Sequence, residues 1–412
     1  MLYTVIPDMI KNTRAYFVFF LFLISGINTF AQVRLSEKAH ISVMTFGPWQ
    51  GELYSAFGHS AFRVYDPANG LDEAYNYGVF DFDQPNFYLN FARGYLYYKL
   101  GVYNYNDFRN YYIYYNRFVH EQVLNFTPAQ KQKVYDFLQR NALPENENYR
   151  YDYFYNNCAT KLRDVLVGVL NDSIHFDGSY INTNYSLREL TDLYLIHQPW
   201  GDLGIDICLG MPIDKTAAPS EYMFLPDYVE SGFDHAYILQ GTDTVSLVAE
   251  KIIVYESRSE DPPAGLPHPL YFFGVLGLLG LILTVFDMRR QKLSVWFDVL
   301  LFSVSGLIGM LLFLLWGFTD HRAAAQNLNL LWAIPTNFIA AIFLLFKRNT
   351  WIQYYFVAVA AIEILVLLVW PILPQPLNYS LIPVIITLAM RAFVQFYVRD
   401  QKNIWTRLST VF

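Results

Sequence analysis

The sequence predicts two joined parts: an α+β domain exported across a membrane, then an all-α bundle of about five transmembrane helices. Three observations predict this. An apolar leader opens the chain, strand-like alternation and helical spacing share the middle, and long apolar runs take over from Pro269 onward. With 54% hydrophobic and only 16% charged residues, and a mean hydropathy of +0.20, the 412-residue chain is too apolar to be soluble throughout. Its net charge of -7 and lack of any basic run argue against nucleic acid as a partner.

The leader comes first. Lys11 and Arg14 precede "AYFVFFLFLISGI", and Thr29 and Ala31 are the small residues that signal peptidase prefers, so residues 1–31 read as a signal peptide cleaved after Ala31, with an uncleaved anchor as the alternative and export following in either case. Residues 32–255 then form one exported domain of ordinary size. "HISVMTF", "SAFRVYD", "EAYNYGVF" and "HEQVLNF" alternate as strands. "TPAQKQKVYDFLQRNAL" is a helix with Thr127 at the N-cap and Pro128 at its first position, and "SLRELTDLYL" opens on the capping pair Ser186 and Glu189. The tyrosine-rich run "NFARGYLYYKLGVYNYNDFRNYYIYYNRF" suits either core packing or an aromatic rim at the lipid surface. A proline-rich linker, 256–268, leads into the multi-span region, 269–412. Spans fall at about 269–286, 295–317, 330–346, 351–371 and 380–398 by window length. Arg289, Arg290, Lys292, Lys347, Arg348, Arg399, Lys402 and Arg407 flank one side. The loops "TDHRAAAQNLN" and "PILPQPLNYS" carry a single basic residue, Arg322. The positive-inside rule puts the basic loops in the cytoplasm and the first domain outside.

Chemistry concentrates in "YNNCATKLRDVLVGVL". Leu162, Val165, Leu166, Val169 and Leu170 repeat at helical spacing, with Asn156 or Asn157 as N-cap. Cys158 therefore starts a helix, where the dipole favours thiolate and a nucleophile is expected. His59 in "SAFGHSAFRVYD" opens a strand; placed beside Cys158, it would take the thiol proton. A buried inert cysteine and a strand-end histidine bonded to a carbonyl are the competing readings. Asn76 is the candidate to orient His59, with Tyr75 and Asp81 as rivals. Cys208, among apolar residues in "DICLG", reads as a free buried thiol rather than a disulfide partner. In the membrane part, Glu363 lies mid-span, a costly place for a carboxylate. Asp320 and His321 follow the second span on the exported face, placed to hold substrate or to dock the exported domain. The remaining histidines have no ligand spacing, so neither metal nor cofactor is expected.

"SAFGHSAFRV", "YNYGVFDF", "YNNCATKLRD" and "LGMPID…EYMFLPDYV" together resemble the exported domain of the Lnb-type lipoprotein N-acyltransferases, and the "TDH" loop after the second span resembles their membrane region. That resemblance implies a circularly permuted papain-like (NlpC/P60-like) fold with His59 as base and Cys158 as nucleophile. It further implies a multi-pass protein of the cytoplasmic membrane with its catalytic domain in the periplasm. The implied reaction moves an acyl chain from a phospholipid to the N-terminal amine of a diacylated lipoprotein; Asp320, His321 and Glu363 are candidate substrate-binding residues. A cell-wall amidase or endopeptidase, a phospholipase or thioesterase, and a non-catalytic envelope scaffold are the alternative readings.

Overall fold

A computed structural model describes residues 33–80, 83–259, 265–346 and 351–409. The leader and Asp81 lie outside the described residues. The first domain is built on β1 (His40–Phe46), β2 (His59–Asp66), β3 (Leu71–Val79), β4 (Tyr97–Asn104), β5 (Val119–Leu124), β6 (Asn148–Arg150), β7 (Ile174–His175), β8 (Tyr237–Gln240), β9 (Asp243–Ser246) and β10 (Val248–Tyr255). Seven of these make one antiparallel sheet in the order β10-β5-β1-β2-β3-β4-β6, and β7-β8-β9 make a smaller one. Around them lie α1 (Phe87–Arg93), α2 (Tyr105–Tyr114), α3 (Pro128–Asn141), α4 (Cys158–Leu170), α5 (Leu187–Leu195), α6 (Pro199–Cys208) and α7 (Pro226–Asp234).

The central strands are apolar on both faces because both are covered. Ile41, Val43, Phe62, Val64, Tyr75 and Tyr77 pack with Val134 and Leu138 of α3 and with Leu162 and Leu166 of α4. Met44, Phe46 and Ala61 on the opposite face pack under Tyr105 and Tyr112 of α2. Each buried Val, Leu, Ile, Phe or Met among them contributes roughly 1.5–3 kcal/mol. Thr127 caps α3 as the sequence predicts, closing a capping box with Gln130, and the expected pair Ser186 and Glu189 starts α5. The tyrosine-rich run divides its rings: Tyr105 and Tyr112 are buried, while Tyr97, Tyr103, Tyr111 and Tyr114 are exposed.

The second part is all-α: α8 (Pro269–Arg290), α9 (Val295–Phe318), α10 (Thr336–Leu344), α11 (Ile352–Val369) and α12 (Ile382–Ser409). Among the described residues, four segments are long and apolar enough to cross a membrane: Pro269–Arg290, Val295–Phe318, Ile352–Ile372 and Tyr379–Asp400. The expected third span is not one helix. Its two pieces, Arg322–Leu331 and Thr336–Leu344, meet at 42°. Pro335 lacks the N–H that would carry the helix through the break. Gly306 and Gly309 of α9 make room for it: a Cβ on Gly309 would sit 1.9 Å from the Ala333 carbonyl oxygen, and one on Gly306 2.1 Å from the Phe338 nitrogen. The irregular backbone is thus enclosed by protein, the condition for non-helical chain at membrane depth. Arg391, fully buried in α12, joins three helices through Asp287 and Asp298, each at 2.6 Å.

The two parts are joined through α6. Leu203 enters the membrane part's core, with Trp200 and Ile207 against it. The last carbonyls of α6 have no partners within the helix. Membrane loops supply them: Asn329 Nδ2 donates to the Asp206 carbonyl at 2.9 Å and Asn327 Nδ2 to that of Ile207 at 2.8 Å. Gln375 Nε2 donates to the Leu209 carbonyl at 2.9 Å. Gly210 packs so closely that a Cβ there would lie 2.0 Å from the Ala325 carbonyl oxygen.

Candidate active site

Helix α4 begins at Cys158 because Asn157 caps it. Asn157 Oδ1 accepts from the Thr160 amide at 2.9 Å, and Thr160 Oγ1 accepts from the Asn157 amide at 2.8 Å. That helix end meets the sheet where two strands part. β2 and β3 are paired from Asp66↔Leu71 only as far as Phe62↔Tyr75. Beyond that pair, His59 and Ser60 at the start of β2 and Asn76 to Gly78 on β3 border a gap. A register shift between Tyr77 and Val79 places a bulge at Gly78.

Gly78 makes the approach possible. Its φ is +97°, and a Cβ built on it would lie 3.4 Å from Cys158 Cβ and 3.9 Å from His59 Cε1. Thiol and imidazole therefore flank the same empty point. On the other side of the ring, His59 Nε2 is 2.6 Å from Asn76 Oδ1. An amide oxygen only accepts, so Nε2 carries the proton and Nδ1 is left as the ring's basic nitrogen. Of the sequence's three candidates for this position, Asn76 makes the contact. Tyr75 points to the other face, its hydroxyl donating to Glu73 Oε2 at 2.8 Å.

The walls are aromatic. Tyr112 stacks on His59 at 5.9 Å and 9°, and Phe46 and Phe108 enclose the ring. Behind Tyr112 lies Arg117, buried, its guanidinium 4.6 Å from the Tyr112 ring centre and its Nε donating to the Gly47 carbonyl at 2.6 Å. Among the described residues its Nη2 has no hydrogen-bond partner. Tyr98, Tyr149, Tyr151 and Tyr153 surround the sulfur closely enough for a thiolate to oppose their ionisation.

These surroundings set the charges. Burial pushes the Cys158 thiol up to about 11, against the backbone N–H groups of Ser60, Ala159 and Cys158 and the charge of Arg117. The sequence points to a thiolate; in the empty site the thiol is neutral, because desolvation outweighs the helix dipole. Cys158 keeps partial solvent access, so water screens part of that cost. Burial likewise lowers His59 to about 4; Asn76 opposes this and Arg117 adds to it. The resting pair is thiol and neutral imidazole. Cys208 is also a free thiol, and no bridge ties it to Cys158.

Asp320 and His321 stand elsewhere, at the junction of the two parts. Asp320 accepts from Arg150 Nη2 at 2.7 Å, its amide donates to the Arg93 carbonyl at 3.0 Å, and His321 Nε2 donates to that of Phe91 at 2.9 Å. Gly94 lets the loop close: a Cβ there would lie 3.0 Å from the Asp320 carbonyl carbon. Glu363 is apart from both, fully buried in α11, and among the described residues neither carboxylate oxygen is hydrogen-bonded.

A second titratable cluster went unread in the sequence. The carboxylates of Asp192, Asp202 and Asp206 lie within 4.8 Å of one another, the nearest approach to a metal-ligand set among the described residues. Two of them are already engaged. Asp206 binds Arg188 at 2.7 Å, and Asn378 Nδ2 donates to Asp202 and Asp206 at 3.0 Å each. Burial, then the charges of Asp206 and Asp202, raise Asp192 so that it holds its proton. The group reads as a knot at the joint between the two parts. Its members are scattered over α5 and α6, so only their shared i, i+4 spacing at 202 and 206 was available beforehand.

Comparison with known proteins agrees with the two-part architecture. Residues 30–193 match the Lnb N-terminal periplasmic domain, and residues 261–403 match the Lnb transmembrane domain. No curated protein and no solved structure matches the chain. With both domains matched in order, the chain belongs to the Lnb family, as a membrane protein with a periplasmic domain.

Proposed function

We propose that the protein is a lipoprotein N-acyltransferase of the cytoplasmic membrane, working on the periplasmic side with Cys158 as nucleophile. The observation that carries this reading is the pairing of Cys158 and His59 across the open space at Gly78, in a domain packed through α6 against a membrane bundle. A phospholipid ester enters that space. His59 Nδ1 takes the thiol proton as sulfur attacks the ester carbonyl, and passes it to the departing lysophospholipid alkoxide. Because thiol and imidazole start neutral, proton transfer accompanies attack rather than preceding it. The Cys158 amide at the start of α4 and the Ser60 amide, freed where β3 parts from β2, face the sulfur and hold the oxyanion. Asn76 keeps the productive tautomer.

The acyl chain then rests on sulfur as a thioester. The α-amine of a diacylated lipoprotein attacks the carbonyl, an amide forms, the carbon–sulfur bond breaks, and the amine's proton returns to sulfur through His59. The tyrosine walls limit water, which favours the amine as acceptor. Asp320 and His321 serve here to dock the periplasmic domain onto the membrane rather than to touch the reacting atoms.

Incubated with phospholipid alone, purified protein should gain one acyl mass on Cys158, removable by hydroxylamine. A diacylated lipopeptide added next should gain an amide-linked chain. Lipid consumed with only free fatty acid released would make the protein a lipase and overturn the transferase reading. A lasting Cys158→Ser activity would leave the cysteine without a role.

A further inference from the structure

We propose that the cleft between Arg150 and Arg322, at the periplasmic end of α9, holds the phosphate diester of the glycerophospholipid donor; this rests on the acyl-transfer reading above. The cleft has a volume of about 280 Å³ and is lined by Arg150, Trp316, Asp320, His321 and Arg322, among others. Its size suits a headgroup phosphate rather than a whole lipid.

Four observations converge on it. The first is depth. Trp316 is half-exposed at the end of a membrane-crossing helix, where amphipathic rings settle at headgroup level. The second is charge. Two guanidiniums face one carboxylate, and Asp320 is taken by Arg150 at 2.7 Å. Among the described residues no hydrogen bond or ion pair engages the exposed Arg322 side chain, which meets Asp320 only through space, so guanidiniums outnumber carboxylates in the cleft lining. The third is topology. Loops on this side of the membrane shed basic residues, and Arg322 is the one Lys or Arg in 319–329 and 371–380. An arginine kept where orientation signals disfavour it, facing a cleft at phosphate level, fits bidentate phosphate recognition.

The fourth is continuity with the thiol. Arg150 begins the turn that ends in Cys158. Asp152 and Asn156 exchange backbone hydrogen bonds at 3.2 and 2.9 Å, and Asn156 Nδ2 donates to the Arg150 carbonyl at 2.6 Å. The turn is pinned shut, so the cleft and the nucleophile sit at the two ends of one short hairpin.

The test uses full-length protein in maltoside micelles free of phospholipid. Thioester formation on Cys158 is compared for phosphatidylethanolamine and for diacylglycerol with the same chains, which lacks the phosphate. Wild type should favour the phospholipid by about tenfold or more. Arg322→Gln should bring that ratio towards one, and Arg322→Lys should restore part of it. Native mass spectrometry reads binding without chemistry: the Cys158→Ala protein should retain phosphatidylethanolamine, and the Cys158→Ala, Arg322→Gln double variant should lose it. Arg322→Gln with the preference intact, or equal rates in wild type, overturns the cleft and leaves acyl transfer standing. No thioester from either donor, with lipid still retained through Arg322, overturns acyl transfer and supports the cleft. Displacement of the lipid by equimolar inorganic phosphate would reduce the cleft to an unspecific anion site and overturn the proposal.

Discussion

Asn76 Oδ1 accepts the Nε2 proton of His59 across 2.6 Å, tying the end of β3 to the start of β2 where the strands no longer pair. The bond fixes both the ring's orientation and its tautomer. Asn76→Ala should lower Cys158 acylation about ten- to a hundredfold, equivalent to roughly 1.4–2.8 kcal/mol. The thermal midpoint should move little, since one part-exposed hydrogen bond is lost. Single-turnover thioester rates beside a melting curve would separate the two; unchanged acylation would remove Asn76 from the machinery.

The pH dependence follows from burial. His59 accepts a proton only when neutral, and its pKa of about 4 keeps it neutral down to that pH. Acylation should therefore hold steady from pH 8 to about 5 and fall below it, rather than fall around the ordinary histidine value of 6.5. The thiol, pushed up to about 11, adds no rise across the same range. Initial thioester rates between pH 4 and 9 would show the edge, and a midpoint between 6 and 7 would contradict a buried neutral pair.

Arg117 acts through Tyr112 and through space. Its charge opposes imidazolium formation and favours thiolate. Arg117→Met should raise both pKa values, slow acylation about tenfold, and move the acid edge upward. Arg117→Lys should recover part of the rate and most of the edge. A slower variant with its edge unmoved would mean that Arg117 only packs.

Gly78→Ala would place a methyl in the space that the substrate carbonyl needs. At φ +97° it also carries a backbone cost of about 1–2 kcal/mol. Acylation should fall at least about a hundredfold while the folded protein persists. Mass spectrometry of the thioester, with circular dichroism as control, checks it; a normal rate would show that the reaction proceeds elsewhere.

Gly210→Ala tests the joint between the two parts. With the Ala325 carbonyl 2.0 Å from the new Cβ, the loop must shift. The cost should be roughly 1–3 kcal/mol, seen as a lower thermal midpoint and faster proteolysis between the domains. An unaltered midpoint would mean that the loops are not closely packed.

How legible was all this? Cys158 and His59 declare themselves because both sit at element starts, and caps and alternation are local signals. β4 is hidden: Tyr97 to Asn104 lies in a run so uniformly aromatic that neither period stands out. Gly78 was readable in principle, since a glycine inside a strand pattern suggests a bulge or a close approach, and Pro335 could have warned of the broken span. Arg117 could not be read, because its relation to His59 exists only after β5 and β2 share a sheet. The thiol's charge state was beyond reach for the same reason. Sequence gives the helix dipole, whereas the opposing desolvation depends on which tyrosines close over the sulfur.

Helix α6, clasped by asparagines from the membrane loops, has one last consequence. On the acyl-transfer reading, this joint ties the position of the Cys158 sulfur to the membrane part. Reach would then come from the proposed partners, the lipid rising partly out of its leaflet and the lipoprotein presenting its amine on whatever tether precedes its folded body. The length of that tether, more than its sequence, becomes the gauge by which such an enzyme would sort one client from another.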